Sequence, residues 1–169
     1  MSLRDTEWQV RPHGPLEQLD ENLWDVQGRI PGSPLGRRMT VARKANGGLI
    51  LHSPVALEEG SMSVLESLGQ VEEILIPSGF HRMDAARFAA RYPLARVLCP
   101  SGARKRVEQA CRVAGSFTDL PSEARVNLRP LKGTAQREGV LTVRGPLGAC
   151  LIFCDAVFNV PHSTGLGGL

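Results

Sequence analysis

No run of about eighteen apolar residues occurs in the 169 positions of this sequence, so no segment reads as a membrane-crossing helix. The opening MSLRDTEWQV carries charge where a secretory signal needs an apolar stretch, and a cytoplasmic protein with no membrane partner is expected. Aromatics are scarce: one Tyr, two Trp and five Phe. The basic residues fall in short clusters, Arg37-Arg38, Arg43-Lys44 and Arg104-Lys105-Arg106, and the net charge is only +3. Without a basic stripe interleaved with stacking rings, no nucleic-acid partner is expected.

Several signatures of chemistry are missing as well. Cys99, Cys111, Cys150 and Cys154 do not form the dense pattern of a disulfide framework. In contexts such as VLCP and GACLIFCD they read as buried free thiols. The C-x3-C spacing of Cys150 and Cys154 has no second pair nearby and does not make a zinc site by itself. Ser53-Pro54 and Ser78-Gly79 lie in no G-x-S-x-G elbow, which argues against a serine hydrolase. Gly32, Gly36, Gly47 and Gly48 form neither a dinucleotide fingerprint nor a phosphate loop. Cys99 has no adjacent histidine to activate it.

What is present is an ordinary globular composition, 42% apolar and 22% charged, at a length that suits one domain over residues 1–169. Residues 1–18, with Pro12, Gly14 and Pro15, read as an irregular leading segment, and the glycine-rich 163–169 as a frayed tail. LDENLWDV (19–26) reads as one strand, followed by a turn-rich loop over 28–38. MTVAR and LILH flank Asn46-Gly47-Gly48, a strong hairpin signal. Residues 57–68 carry apolar positions at helical spacing, with Gly69 as C-cap. A strand over 73–76, a helix over 84–92 opened by Asp84, and a strand over 96–98 follow. A basic amphipathic helix is expected over 102–113, a loop over 114–124, and strands near 126–131, 139–144 and 149–154. The alternation in the middle implies parallel crossovers, so the fold class is α/β with mixed sheets flanked by helices.

Two places concentrate polar groups at strand ends, where α/β sheets bind ligands. In EILIPSGFHRMD, His81 and Asp84 sit three apart before a helix, and in ACLIFCDAVFNV an apolar strand delivers Asp155. A carboxylate there needs a partner or a metal.

ENLWDV, PLGRRMTVAR, GGLILHSPV, ILIPSGFHRMDAARFAARYPLARVLCPSG and LIFCDAVFNV, in this order over residues 20–160, resemble the metallo-β-lactamase fold superfamily, and within it a DUF4336-type branch of metal-dependent hydrolases. The resemblance implies a shortened αββα sandwich. It also places the superfamily's H-x-H-x-D-H ligand motif on Ser78, Phe80, Arg82 and Met83, none of which is the expected His or Asp. Asp155 matches the carboxylate that bridges two metals in active relatives, and no histidine lies in 82–161.

The remaining candidates are His81, Asp155 and His162 as metal ligands, and Asp84 as a catalytic group that orients a ligand or acts as base, with His52 at a nearby strand end. No resident cofactor is expected from so reduced a set; zinc, iron or manganese are the ions it would take. A His81–Asp155 separation above about 8 Å would rule out a shared ion. Arg38 and Arg82 converging on the same mouth would indicate an anionic small-molecule ligand. Two functions follow: a metal-dependent hydrolase-like protein, or a non-catalytic descendant that uses the old pocket or a dimer surface for binding. A homodimer is expected to cover the face exposed by a shortened second half.

Overall fold

A computed structural model describes residues 6–30, 32 and 36–157. Among the described residues, ten strands and three short helices form two sheets and one helical layer. The first sheet has seven strands in sequential order: β1 (Glu17–Asp20), β2 (Leu23–Arg29), β3 (Gly36–Arg43), β4 (Leu49–His52), β5 (Val71–Leu75), β6 (Arg96–Cys99) and β7 (Gly115–Ser116). Strands β1 to β4 pair antiparallel and β4 to β7 pair parallel. The crossovers run through helices α1 (Glu59–Ser67), α2 (Ala85–Arg91) and α3 (Arg104–Val107). The second sheet is an antiparallel meander of β8 (Val126–Pro130), β9 (Gly139–Gly145) and β10 (Gly148–Ile152).

The buried strands β4, β5 and β6 alternate between two cores, as a period-two side-chain pattern requires. Leu49, Leu51, Ile74 and Val97 face the helices, packing with Met62, Leu65, Phe88 and Val107. Ile50, Leu75 and Leu98 face the second sheet, packing with Phe117, Val126, Leu128, Leu141 and Val143. Each such fully buried aliphatic side chain contributes about 1.5–3 kcal/mol relative to exposure. The layers are therefore helix, sheet, sheet, and among the described residues no helix covers the outer face of the meander.

The expected hairpin about Asn46-Gly47-Gly48 is present, with Gly47 at φ 88° and the Asn46 carboxamide accepting from Gly48 N at 2.9 Å. Gly69 closes α1 at φ 155°, where a Cβ would meet the Gly47 carbonyl oxygen at 2.2 Å, so glycine is required on two counts.

Other expectations need correction. The single strand expected over 19–26 is a hairpin: Asp20 accepts a hydrogen bond from Glu21 N at 2.7 Å, turning the chain between β1 and β2. The helix expected over 102–113 is a 3-10 turn, Ser101–Ala103, followed by the four-residue α3. Beyond it the chain turns back, Arg104 donating to the Val113 carbonyl at 3.0 Å, which buries Cys111 and Val113. The loop expected over 114–124 contains β7, paired to β6. The leading segment is tied down: Trp8 donates to the Leu57 carbonyl at 2.9 Å and packs on Phe88 with ring centroids 5.1 Å apart. The 163–169 tail and His162 lie outside the described residues. No described helix is long and apolar enough to cross a membrane.

Candidate functional site

Because β4 and β5 are parallel neighbours, their carboxyl ends open on the same edge of the first sheet. Strand β4 delivers His52 and Ser53 there, and the loop after β5 delivers Ser78 and His81. The segment after β10, the end of the second sheet, brings Cys154 and Asp155 to the same mouth. His81 Nε2 lies 3.0 Å from Asp155 Oδ1, and His81 Nδ1 lies 2.9 Å from Ser53 Oγ. The ligand atoms of His81, Cys154 and Asp155 all lie within 4.8 Å of one another. The His81 and Asp155 side chains are 25% and 36% exposed, so the cluster is reachable from solvent.

The loop that carries His81 is pinned from two sides. Arg82 donates to the Arg106 carbonyl and to Gln109 Oε1, each at 3.0 Å, fastening the loop beside α3. Asp84 is fully buried and binds Arg37 of β3, Arg87 of α2 at 3.0 Å, and the Ala56 amide at 3.2 Å. Asp84 occupies the N-cap position of α2, as the sequence suggests, but its side chain makes no cap bond. Both oxygens are taken by this network, which anchors the loop, whereas the sequence suggests a group that orients a ligand or acts as base.

Cys154 and Asp155 are held by Glu138. One Glu138 oxygen accepts from Cys154 N at 3.0 Å and from Ala156 N at 2.9 Å, bracketing Asp155. Glu138 is itself buried, and it also lines a cleft of about 320 Å³ with Pro100, Ser101, Phe117, Thr118 and Pro130. A larger cleft, about 780 Å³, lies elsewhere, among Pro12, His13, Glu17, Asp25 and Gly28. The convergent chemistry lies outside that larger cleft, so size alone does not mark the site.

Burial pushes the Cys154 thiol well above its ordinary range, and the Asp155 charge adds to this, while a hydrogen bond with Ser78 opposes it. His52 is wholly enclosed, and its Nε2 has no hydrogen-bond partner. Desolvation, followed by the proximity of His81, lowers its pKa to about 3, so the ring is neutral in the folded protein. Ser53 sits at φ 55°, in the left-handed region, immediately before Pro54. A non-glycine residue there costs about 1–3 kcal/mol, and such conformations gather at functional sites.

His81 and Asp155 thus meet as a shared-ion reading requires. Cys154 joins them although its sequence context reads as a buried thiol. Its C-x3-C partner Cys150 is exposed on the edge strand, contrary to the burial expected, whereas Cys99 and Cys111 are buried. Ser53 and Glu138 had no sequence signal beyond Ser53's place at a strand end. Arg38 pairs with Asp25 and Arg82 is spent on α3, so the two cations proposed as an anion clamp are engaged elsewhere.

The donor set fits a zinc-class ion. Zinc takes imidazole, thiolate and carboxylate at about 2.0–2.3 Å, which sets tetrahedral ligands about 3.3–3.8 Å apart, and three protein ligands with an open fourth position mark catalytic sites. His81, Cys154 and Asp155 need only small shifts to meet those spacings.

The fold has known counterparts. The chain is similar to the metallo-β-lactamase DIM-1, in crystals exposed to ceftazidime, at TM-score 0.58 and 9% identity, covering 80% of this chain and 67% of that one. It is similar to VMB-1 at TM-score 0.58 and 10% identity, with the same coverage. It is also similar to the metallo-β-lactamase FIM-1 of Pseudomonas aeruginosa in its mono-zinc form, at TM-score 0.53 and 9% identity, covering 78% and 65%. At these identities the likeness is one of fold. No protein-family profile matches the sequence, and no curated protein matches it.

Proposed function

With the metallo-β-lactamase fold as its frame, we propose that this chain is a metal-dependent, hydrolase-like protein with a single-ion centre on His81, Cys154 and Asp155. The observation that carries the reading is the convergence of three different ligand types within 4.8 Å at the joint mouth of two sheets. FIM-1, a fold neighbour, has been crystallised in a mono-zinc form. A lone ion in place of a pair agrees with the superfamily motif positions, which here hold Ser78, Phe80, Arg82 and Met83.

The protein's own groups supply positioning. Glu138 holds the backbone on both sides of Asp155, and Asp84 and Arg82 fix the loop of His81. The Ser53 hydroxyl, by accepting from His81 Nδ1–H, would select the tautomer whose Nε2 lone pair faces Cys154 and Asp155. The chemistry supplied by a bound zinc-class ion is activation of water and polarisation of an ester, thioester or phosphoester.

Metal content by elemental mass spectrometry, on tag-free protein purified without chelator, tests the reading. Near-stoichiometric zinc, iron or manganese that is lost in Cys154→Ser and in Asp155→Ala supports it. Folded protein that stays below a tenth of an equivalent after incubation with each ion refutes it, leaving the non-catalytic binding reading in its place.

A further inference from the structure

Ser53 is more constrained than a positioning contact requires. It stands at φ 55° before a proline, its amide donates to the Leu75 carbonyl at 2.9 Å, and its hydroxyl meets His81 Nδ1 at 2.9 Å. The other ring nitrogen meets Asp155 Oδ1 at 3.0 Å. Hydroxyl, imidazole and carboxylate are thus joined in series by two hydrogen bonds, although the chain lacks the G-x-S-x-G elbow that usually announces such a serine.

We propose that Ser53, His81 and Asp155 form a nucleophilic relay that hydrolyses short-chain, activated acyl esters whenever His81 and Asp155 are free of metal. The inference goes beyond the metal-centred reading, because it needs only the protein's own groups. His81 has two tautomers, and the occupant of its Nε2 side decides which one is present. With a carboxylate there, the proton sits on Nε2 and the Nδ1 lone pair faces the Ser53 hydroxyl.

In the first step Ser53 Oγ bonds to the acyl carbon while its proton passes to His81 Nδ1. The bond from that carbon to the leaving oxygen then breaks, and the His81 proton goes to that oxygen. In the second step water attacks the acyl-Ser53 ester and gives a proton to His81. Ser53 Oγ leaves and takes that proton back, releasing a carboxylic acid. Asp155 acts as a positioning residue that holds the tautomer and stabilises the imidazolium.

Two features of the site choose the substrate class. Ser53 is only 5% exposed, so an acyl group that reaches its hydroxyl must be slim, such as acetyl. The residue after Ser53 is Pro54, which has no N–H, so the amide next to the nucleophile cannot help to hold the oxyanion. The leaving group must therefore be a good one, of phenolate or similar acidity.

The test uses the chelator-treated full chain, with methanesulfonyl fluoride and 4-nitrophenyl acetate as probes. The expected result is one sulfonyl adduct, mapped to Ser53 by peptide mass spectrometry, with the labelling rate reduced about 10²-fold or more in His81→Gln. Ser53→Gly, whose glycine suits the positive φ and preserves the fold, loses turnover of 4-nitrophenyl acetate. Asp155→Asn lowers kcat with KM unchanged. An adduct on Cys154 with Ser53 unmodified, wild-type turnover in Ser53→Gly, or an undiminished labelling rate in folded His81→Gln overturns the relay. Because the metal is stripped beforehand, none of these outcomes bears on the metal stoichiometry that tests the other reading.

Discussion

Replacing His52 by leucine, a side chain of similar size that does not titrate, should abolish a large part of the protein's acid sensitivity. His52 is fully buried with an orphaned Nε2, and its pKa falls from 6.5 to about 3 on folding, first through desolvation and then through His81. The unfolded chain therefore binds a proton between these two values that the folded chain refuses. Stability from this group is complete above pH 6.5 and is lost as the pH falls toward 3. At pH 5 the ratio of the two binding polynomials amounts to about 1.5 pH units, or roughly 2 kcal/mol at 1.36 kcal/mol per unit. At pH 4 it reaches roughly 3 kcal/mol. Urea unfolding of wild type and His52→Leu at pH 8, 6, 5 and 4 measures the quantity directly. With a denaturant slope of about 2 kcal/mol/M, the wild-type midpoint should drop by about 1 M more than the variant's between pH 8 and 5. Any packing change caused by leucine is common to every pH and cancels in that difference. A difference between the two proteins that stays flat from pH 8 to pH 5 would refute a neutral buried His52.

Two more substitutions probe the scaffold of the site. Asp84→Asn leaves Arg37 and Arg87 without their shared carboxylate in a buried setting, and should cost about 3–5 kcal/mol in urea unfolding; a loss below 1 kcal/mol would contradict the anchor role. Glu138→Ala removes the clamp on both amides that flank Asp155, and should weaken zinc binding about 10–100-fold in a competition titration against a chromophoric chelator, while Glu58→Ala, on the exposed N-cap of α1, leaves it unchanged.

Elements whose cause is local were legible in the sequence. The β4 strand LILH, the Asn46-Gly47-Gly48 hairpin and the α1 periodicity closed by Gly69 each depend on residues a few positions apart. The Asp20-Glu21-Asn22 turn had such a local signal too, since an aspartate readily accepts its neighbour's amide, but the apolar pair Leu23-Trp24 masked it. The 102–113 segment misled for the opposite reason. Its helical periodicity is real, yet Gly102 donates to the Gln136 carbonyl, and a Cβ at that position would meet the Ala135 carbonyl at 2.6 Å. A tertiary contact with the loop between β8 and β9 sets the geometry there and overrides local propensity.

The sequence by itself determined the α/β class, the parallel crossovers and the strand ends at which His81 and Asp155 appear, because hydrophobic period and turn chemistry act over a few residues. Only the tertiary structure decided what those residues touch. His81 meets Ser53 across 28 positions through the parallel pairing of β4 and β5, and meets Asp155 across 74 through the docking of the second sheet against the first. The same docking brought Cys154 to the mouth and left Cys150 exposed, while the packing of α2 on the first sheet enclosed Asp84 among arginines. Those outcomes depend on the burial of Phe117, Leu128 and Leu141 between the sheets and of Leu49, Ile74 and Phe88 beneath the helices, a free energy summed over many side chains that no short stretch of sequence expresses.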